Sequence, residues 1–239
     1  MTAGVGAAQV YRVLAARMPY HAGSQGAGTS PLPATALADR SWWREQLAVS
    51  RALHGTAPAR VLGTIRWYSA SSVLLAPVTE SLAATGIALD PALRSTRLHE
   101  LPDGRFPGAS ADRVLGTDPV AAGRAVGEAL AEVVDALSPA IDAPPPALWA
   151  IATDSLANRL LWAGMATGAP EHAEALAGTL AEAAGERLPP PRYVDVGRSR
   201  VVRRASCCLV YEATDEDKCT SCPRQTPEDR DRRIRMLMG

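Results

Sequence analysis

Apolar residues recur at three- and four-residue intervals along most of the chain, and this period predicts helices. The predicted helices cover residues 7–18, 39–54, 58–85, 118–137, 145–167 and 170–186. Asp39 and Ser41 are suited to cap the second helix, and Gly86 is suited to end the third. Pro119 and Pro170 would lie in first turns, where the missing N–H costs little. Because such helices usually pack as a bundle, we expect a mainly α fold.

Three stretches depart from the helical period. Residues 21–36 are rich in Gly, Ser, Pro and Ala, which predicts a flexible connection. Residues 87–116 contain short apolar pieces broken by Pro and Gly, which predicts turns and a short hairpin. Apolar and polar residues alternate over residues 193–213, which predicts a strand. The sequence TPED, from Thr226, is a helix-start signal and predicts a short C-terminal helix. We therefore expect an N-terminal helix and linker over residues 1–36, a helical region over 37–190 and a strand-and-turn segment over 191–239, the last two forming one unit.

Composition and charge narrow the class of protein. With 239 residues, 47% of them hydrophobic, the chain can form a hydrophobic core without covalent cross-links. Its 25 basic and 25 acidic residues cancel, which argues against a nucleic-acid partner. The first residues lack the features of a secretory signal. The longest uncharged stretch that is also mainly apolar, residues 67–79, is too short to cross a hydrocarbon core of about 30 Å as a helix. We expect a soluble, cytoplasmic protein with no transmembrane segment.

All four cysteines lie within sixteen residues, as an adjacent pair, ten intervening residues and a C-x-x-C turn. In a cytosolic chain such a cluster indicates a metal site more than disulfides. Side chains of adjacent residues in extended chain face opposite ways, so Cys207 and Cys208 would need a kinked backbone to reach one ion. A two-iron cluster is a larger target than a zinc ion. The spacing therefore favours iron–sulfur over zinc and leaves zinc open.

The stretches RRASCCLVY, from Arg203 to Tyr211, and CTSCPR, from Cys219 to Arg224, resemble the C-terminal signature of FhuF-type ferric-siderophore reductases. The resemblance covers about residues 200–224. It implies a cytoplasmic, mainly helical protein with a [2Fe–2S] cluster on Cys207, Cys208, Cys219 and Cys222. It also implies a siderophore-binding role for residues 37–190, with a hydroxamate chelate favoured. No flavin or nicotinamide motif is visible, so the electron would come from an external ferredoxin, flavodoxin or reductase.

Other residues carry two interpretations each. Arg203 and Arg204 precede the cysteines and could contact an anionic chelate or an acidic donor. Alternatively, they form a solvated strand edge paired with Glu212 and the acidic stretch from Asp215 to Asp217. The aromatic residues at helical spacing are more typical of a core than of a chelate pocket; they are Trp42, Trp43, Trp67, Trp149 and Trp162. Two other functions remain open. The first is an iron–sulfur electron-transfer or sensor accessory without reductase activity, and the second is a zinc-stabilised binding module.

Overall fold

The structure is a computed structural model that describes residues 5–18, 28–214 and 216–238, without the side chain of Met238. The described helices are α1 Ala7–Arg17, α2 Arg40–His54, α3 Ala59–Thr85, α4 Pro119–Ile141, α5 Pro145–Thr167, α6 Pro170–Ala184 and α7 Pro227–Met238. This confirms the mainly α fold. Within the described ranges, no helix combines the length and the apolar character needed to cross a membrane.

The helix ends follow local chemistry. The Asp39 side chain accepts a hydrogen bond from the Ser41 amide at 2.7 Å and so caps α2, as predicted. Gly86 ends α3 in the left-handed conformation, at φ 70°, where a side chain would be strained. α4 continues one turn beyond the predicted end, through Pro139 to Ile141. Ile141 is 1% exposed and packs against Gly63, so its burial accounts for the extra turn.

The core lies around α3 and α5, which pack along each other and are buried on most of their faces. Trp43 and Trp67 are fully buried, and their indole N–H groups donate to the carbonyls of Leu37 and Leu148. Trp149 is also buried, as the core interpretation predicts. That interpretation is wrong for Trp162, which is 47% exposed. Helical spacing alone does not tell which residues face a neighbouring helix.

The interface between α4 and α6 depends on small residues. A Cβ atom at Gly127 would lie 2.4 Å from the carbonyl oxygen of Ala184, and one at Gly123 would lie 2.7 Å from that of Leu180. Real side chains do not approach backbone atoms so closely. The two glycines therefore let the helices pack backbone against backbone.

Short antiparallel strands cover the helices. β1 Ser30–Pro33, β3 Thr96–Glu100 and β4 Gly108–Ala111 form one sheet in the order β1-β3-β4; β2 Ala88–Leu89 pairs with β5 Val114–Gly116, and β6 Tyr193–Val196 pairs with β7 Ser199–Val202. The predicted hairpin within 87–116 is confirmed. The flexible connection is wrong over residues 30–36, where β1 and a 3-10 helix, Ala34–Ala38, are found. Residues 21–27 of that prediction lie outside the described residues.

Candidate metal centre

The first two cysteines lie in an irregular loop, residues 203–209, between β7 and a 3-10 helix, Val210–Glu212. The strand predicted over residues 193–213 is therefore wrong beyond Val202, and residues 193–202 form the hairpin of β6 and β7. Leu209 has φ 62°, a left-handed conformation that costs a non-glycine residue about 1–2 kcal/mol. Its side chain is 4% exposed and packs against Val61 and Ile65 of α3, which holds the conformation in place. The distortion expected at residues 207–208 thus occurs one residue later.

A buried carboxylate on α5 fixes this loop. Asp154, 1% exposed, accepts hydrogen bonds from the Ala205 amide at 2.8 Å and the Ser206 amide at 3.0 Å. The Ser206 hydroxyl donates a third bond at 2.6 Å. Burial raises the pKa of Asp154, and the hydrogen bonds from Ser206 and Ala205 oppose that rise. The loop that presents the adjacent cysteines is therefore tied to the middle of a core helix.

Arg204 is a buried cation beside the cysteines. Its side chain is 4% exposed, and its Nε donates to Asp154 Oδ2 at 3.4 Å. Nη1 donates to Cys219 Sγ at 3.6 Å, and the guanidinium lies 4.8 Å from the centre of the Tyr68 ring. Nη2 is buried, and no described residue offers it a hydrogen-bond acceptor. A buried donor that lacks an acceptor is costly, so its place beside the sulfurs indicates a further acceptor there.

The four cysteine thiols come together from the two halves of the motif. Cys207 Sγ lies 3.8 Å from Cys222 Sγ, and Cys208 shares hydrogen bonds with Cys207 and Cys219. Backbone amides of Leu209 and Val210 donate to Cys207 and Cys208, respectively. Cys208 and Cys222 are buried, Cys207 is half-buried and Cys219 is exposed; all four are free thiols.

The thiols are arranged to stabilise negative charge on sulfur. Hydrogen bonds from Cys207 and Cys219 lower the pKa of Cys208, while the same bonds raise the pKa of both donors. Thiolate sulfur is the ligand form that metals bind. Among the described residues, no three His, Cys, Asp or Glu side chains are placed to hold a single metal ion. Four converging sulfurs, two backbone amides and the unpaired N–H of Arg204 fit a sulfur-rich, anionic cluster.

The C-x-x-C half is held by the residues that follow it. Gln225 Nε2 donates to the Cys219 carbonyl at 2.6 Å, and the Cys222 amide closes a turn onto the same carbonyl at 3.0 Å. Arg224 Nη1 donates to Tyr211 Oη at 2.5 Å and pairs with Glu212 at 2.6 Å. The 3-10 helix and the C-x-x-C turn are thereby joined. Within the acidic stretch 215–218, residue 215 lies outside the described residues.

The two arginines predicted to contact substrate or donor occupy different environments. Arg203 is exposed, whereas Arg204 is buried beside Asp154 and Cys219. A contact to substrate or donor remains a prediction for both. The sequence interpretation missed Asp154, although one signal was present: Asp154 is the only acidic residue in the apolar run ALWAIATDSLANRLL. A buried acid in such a helix needs a partner, and Arg204 is that partner.

Residues 204–224 match the protein family described as the FhuF 2Fe-2S C-terminal domain. No curated protein and no solved structure matches the chain. The matched residues include all four cysteines and Arg204. This confirms the resemblance seen in the sequence and supports a [2Fe–2S] cofactor on these thiols. Over residues 204–224 the chain is therefore similar to the [2Fe–2S]-binding C-terminal domain of the FhuF-type family.

Proposed function

We propose that this protein is a ferric-siderophore reductase, which reduces chelated Fe(III) by one electron and releases Fe(II) for iron assimilation. The family match supports an iron–sulfur oxidoreductase in general. The observation that carries the finer proposal is a cavity of about 460 Å³ that opens at Cys207, here called the Cys207 cavity. A cluster bound to Cys207 would be reachable from this cavity.

The lining of the Cys207 cavity suits a compact, oxygen-rich chelate. Its walls come from the first turns of α3 and α5, from the loop around Cys207 and from Pro223, and most of the lining side chains are small and apolar. The described lining contains Arg60 and Arg224 and no acidic residue. Both arginines pair with Glu212, at 3.6 and 2.6 Å, so their guanidinium groups are held near the cavity. The N–H groups of the two guanidinium groups can donate hydrogen bonds to the oxygen ligands of a chelate.

The chemistry needs no acid, base or nucleophile from the protein. When bound, the [2Fe–2S] cluster supplies one electron to the ferric ion of the chelate. Ferric iron is a hard cation gripped by oxygen donors, and ferrous iron holds the same donors less strongly. The residues of the chain have two tasks. Arg60 and Arg224 orient the chelate at the half-buried Cys207, and Asp154 and Arg204 fix the loop that holds the adjacent cysteines.

The test is a single-turnover reduction without air. Protein reduced with dithionite, and freed of the excess, is mixed with a ferric trihydroxamate in the presence of a ferrous-specific chelator. We expect one Fe(II) trapped per reduced cluster, with matching reoxidation of the cluster in the visible spectrum. A ferric catecholate in parallel tests the preference for hydroxamate. The absence of Fe(II) production with both chelates would refute the reductase proposal and favour an electron-transfer or sensor accessory. Zinc in place of iron and sulfide would refute both.

A further inference from the structure

A second opening lies beside the C-x-x-C turn of the same centre. In the described part of the chain, seven large apolar side chains are exposed, and three of them line one groove of about 300 Å³. They are Trp162, Met165 and Leu237, with 47%, 59% and 70% exposure. We call this opening the Trp162 groove. Clustered apolar exposure beside a functional site is typical of an interaction surface.

The Trp162 groove lies against the C-x-x-C half of the centre. Thr220 and Ser221, the two residues between Cys219 and Cys222, line it, as does Arg204. Arg204 Nη1 lies 3.6 Å from Cys219 Sγ, and Cys219 is the exposed member of the four cysteines. The Cys207 cavity contains neither Cys219 nor these two turn residues. The groove therefore borders the centre at the C-x-x-C turn, whereas the cavity reaches Cys207 itself.

The surroundings of the Trp162 groove are basic. Its described lining includes Arg200 and Arg204 and no Asp or Glu, and Arg159 stacks on Trp162 at 5.4 Å. Arg159 pairs with Glu80, Arg200 with Glu174 and Asp195, and Arg204 with Asp154, but none of these carboxylates lines the groove. Arg235, exposed in the last turn of α7, adds a further positive charge near Leu237 in the chain. An apolar centre rimmed by arginine is complementary to an acidic protein with an apolar spot.

We propose that the Trp162 groove docks a small acidic electron-transfer protein of the ferredoxin class, which reduces the cluster through the Cys219 side. The proposal rests on the redox role proposed above. The donor's reduced centre loses one electron and the cluster of this chain gains it, with no proton or bond exchanged. Redox complexes have small interfaces, below about 1,200 Å², so a short apolar patch with charged surroundings is enough. Charge at the rim sets the encounter rate more than the affinity.

The test measures electron entry without any siderophore. A reduced, acidic plant-type [2Fe–2S] ferredoxin is mixed anaerobically with the oxidised holoprotein in a stopped-flow spectrometer, and reduction of the cluster is followed. Met165→Glu and Met165→Lys remove the same apolar contact and differ in charge. We expect Met165→Glu to slow the second-order rate about 10-fold or more, and Met165→Lys to slow it less than about 3-fold. The wild-type rate should fall as ionic strength rises.

A matched control keeps the result interpretable. Val120, 42% exposed near the start of α4, does not line the groove, so Val120→Glu should leave the rate within about 2-fold of wild type. Iron content, sulfide content and visible spectrum report whether each variant holds an intact cluster. Equal rates for Met165→Glu and Val120→Glu would overturn the proposal. So would a wild-type protein that the ferredoxin does not reduce.

Two other occupants of the groove give distinct results. Concentration-dependent dimerisation in sedimentation, lost in Met165→Glu, would show that a second copy covers the groove and would overturn the proposal. Binding to vesicles of anionic phospholipid, lost in the same variant, would overturn it in favour of a membrane surface. The reductase proposal fails separately. Rapid reduction by ferredoxin followed by no Fe(II) release from a ferric hydroxamate would refute the reductase and leave the donor site standing.

Discussion

Replacing Asp154 with Asn tests whether one buried carboxylate holds the cluster loop. The substitution keeps the size of the side chain and turns one acceptor oxygen into a donor. If the remaining oxygen keeps the Ala205 amide, the new NH₂ group faces donors on Ser206 and Arg204. A buried cation left without its partner costs about 3–5 kcal/mol. A buried amide N–H group without an acceptor costs about 1–3 kcal/mol, and this cost does not simply add to that of the unpaired cation. We expect a loss of about 3–5 kcal/mol, large against a typical stability of about 5–15 kcal/mol.

The assay compares urea unfolding by circular dichroism with loss of the cluster bands, on anaerobic holoprotein. Glu174→Gln is the matched control, because it removes an equivalent charge from an Arg pair on another helix. That pair is partly exposed, 19% for Glu174 and 38% for Arg200, so its loss should cost less than about 1 kcal/mol. Adding Arg204→Met to Asp154→Asn removes the unpaired cation and should recover part of the loss. An Asp154→Asn variant within about 0.5 kcal/mol of wild type, with iron retained, would refute the reasoning.

Four further outcomes are expected. Cys208→Ser should lose the cluster, because one iron would lack a thiolate; an unchanged visible spectrum with full iron and sulfide content would remove Cys208 from the ligands. Ala147→Trp should fill the exposed mouth of the Cys207 cavity and slow reduction of a ferric hydroxamate about 10-fold, a loss of about 1.4 kcal/mol, without slowing oxidation of the cluster by ferricyanide. Gly127→Ala should destabilise the fold by about 1–3 kcal/mol in urea unfolding. Gly178→Ala, with nothing within 4 Å of the new Cβ, should stabilise the fold by up to about 1 kcal/mol. A change of the same sign in both variants would contradict the close contact between α4 and α6. Burial raises the pKa of Tyr11 from 10.0 to about 12, so Tyr11 ionises in the unfolded chain at a lower pH than in the folded chain. The free energy of unfolding should therefore fall by up to about 1.4 kcal/mol per pH unit as the pH rises from 10.0 to about 12. Tyr11→Phe should reduce this slope, and an unchanged slope would contradict the assignment to Tyr11.

The helices could be predicted from sequence because their signals are local. Apolar spacing and the caps at Asp39 and Gly86 depend on residues a few positions apart. β1 could not be predicted, because its pairing partner, β3, lies more than sixty residues along the chain. The end of α4 was missed for a similar reason, since Ile141 is buried by a distant glycine on α3. Tertiary packing overrides local preference at such places.

In the site, too, the features that local sequence shows could be predicted, and those that depend on distant contacts could not. The spacing of the four cysteines indicated a metal site, and the resemblance implied the ligand set; both are visible in one short stretch of sequence. The anchor could not be found there, because Asp154 lies fifty residues before Arg204 and its importance depends on burial. Trp162 was assigned to the core since nothing in the sequence shows that α7 leaves the last turns of α5 open. Function at this centre depends on contacts between helix and loop.

α5 contributes residues to every part of the proposed electron route. Its first turns line the Cys207 cavity, Asp154 holds the loop near its middle, and Trp162 and Met165 lie near its end. From Ala147 to Met165 the helix rises about 27 Å, at about 1.5 Å per residue. Oxidant and reductant bound at the two ends would not compete for space. Steady-state kinetics should therefore show no substrate inhibition by excess chelate, and turnover need not wait for one partner to leave before the other arrives.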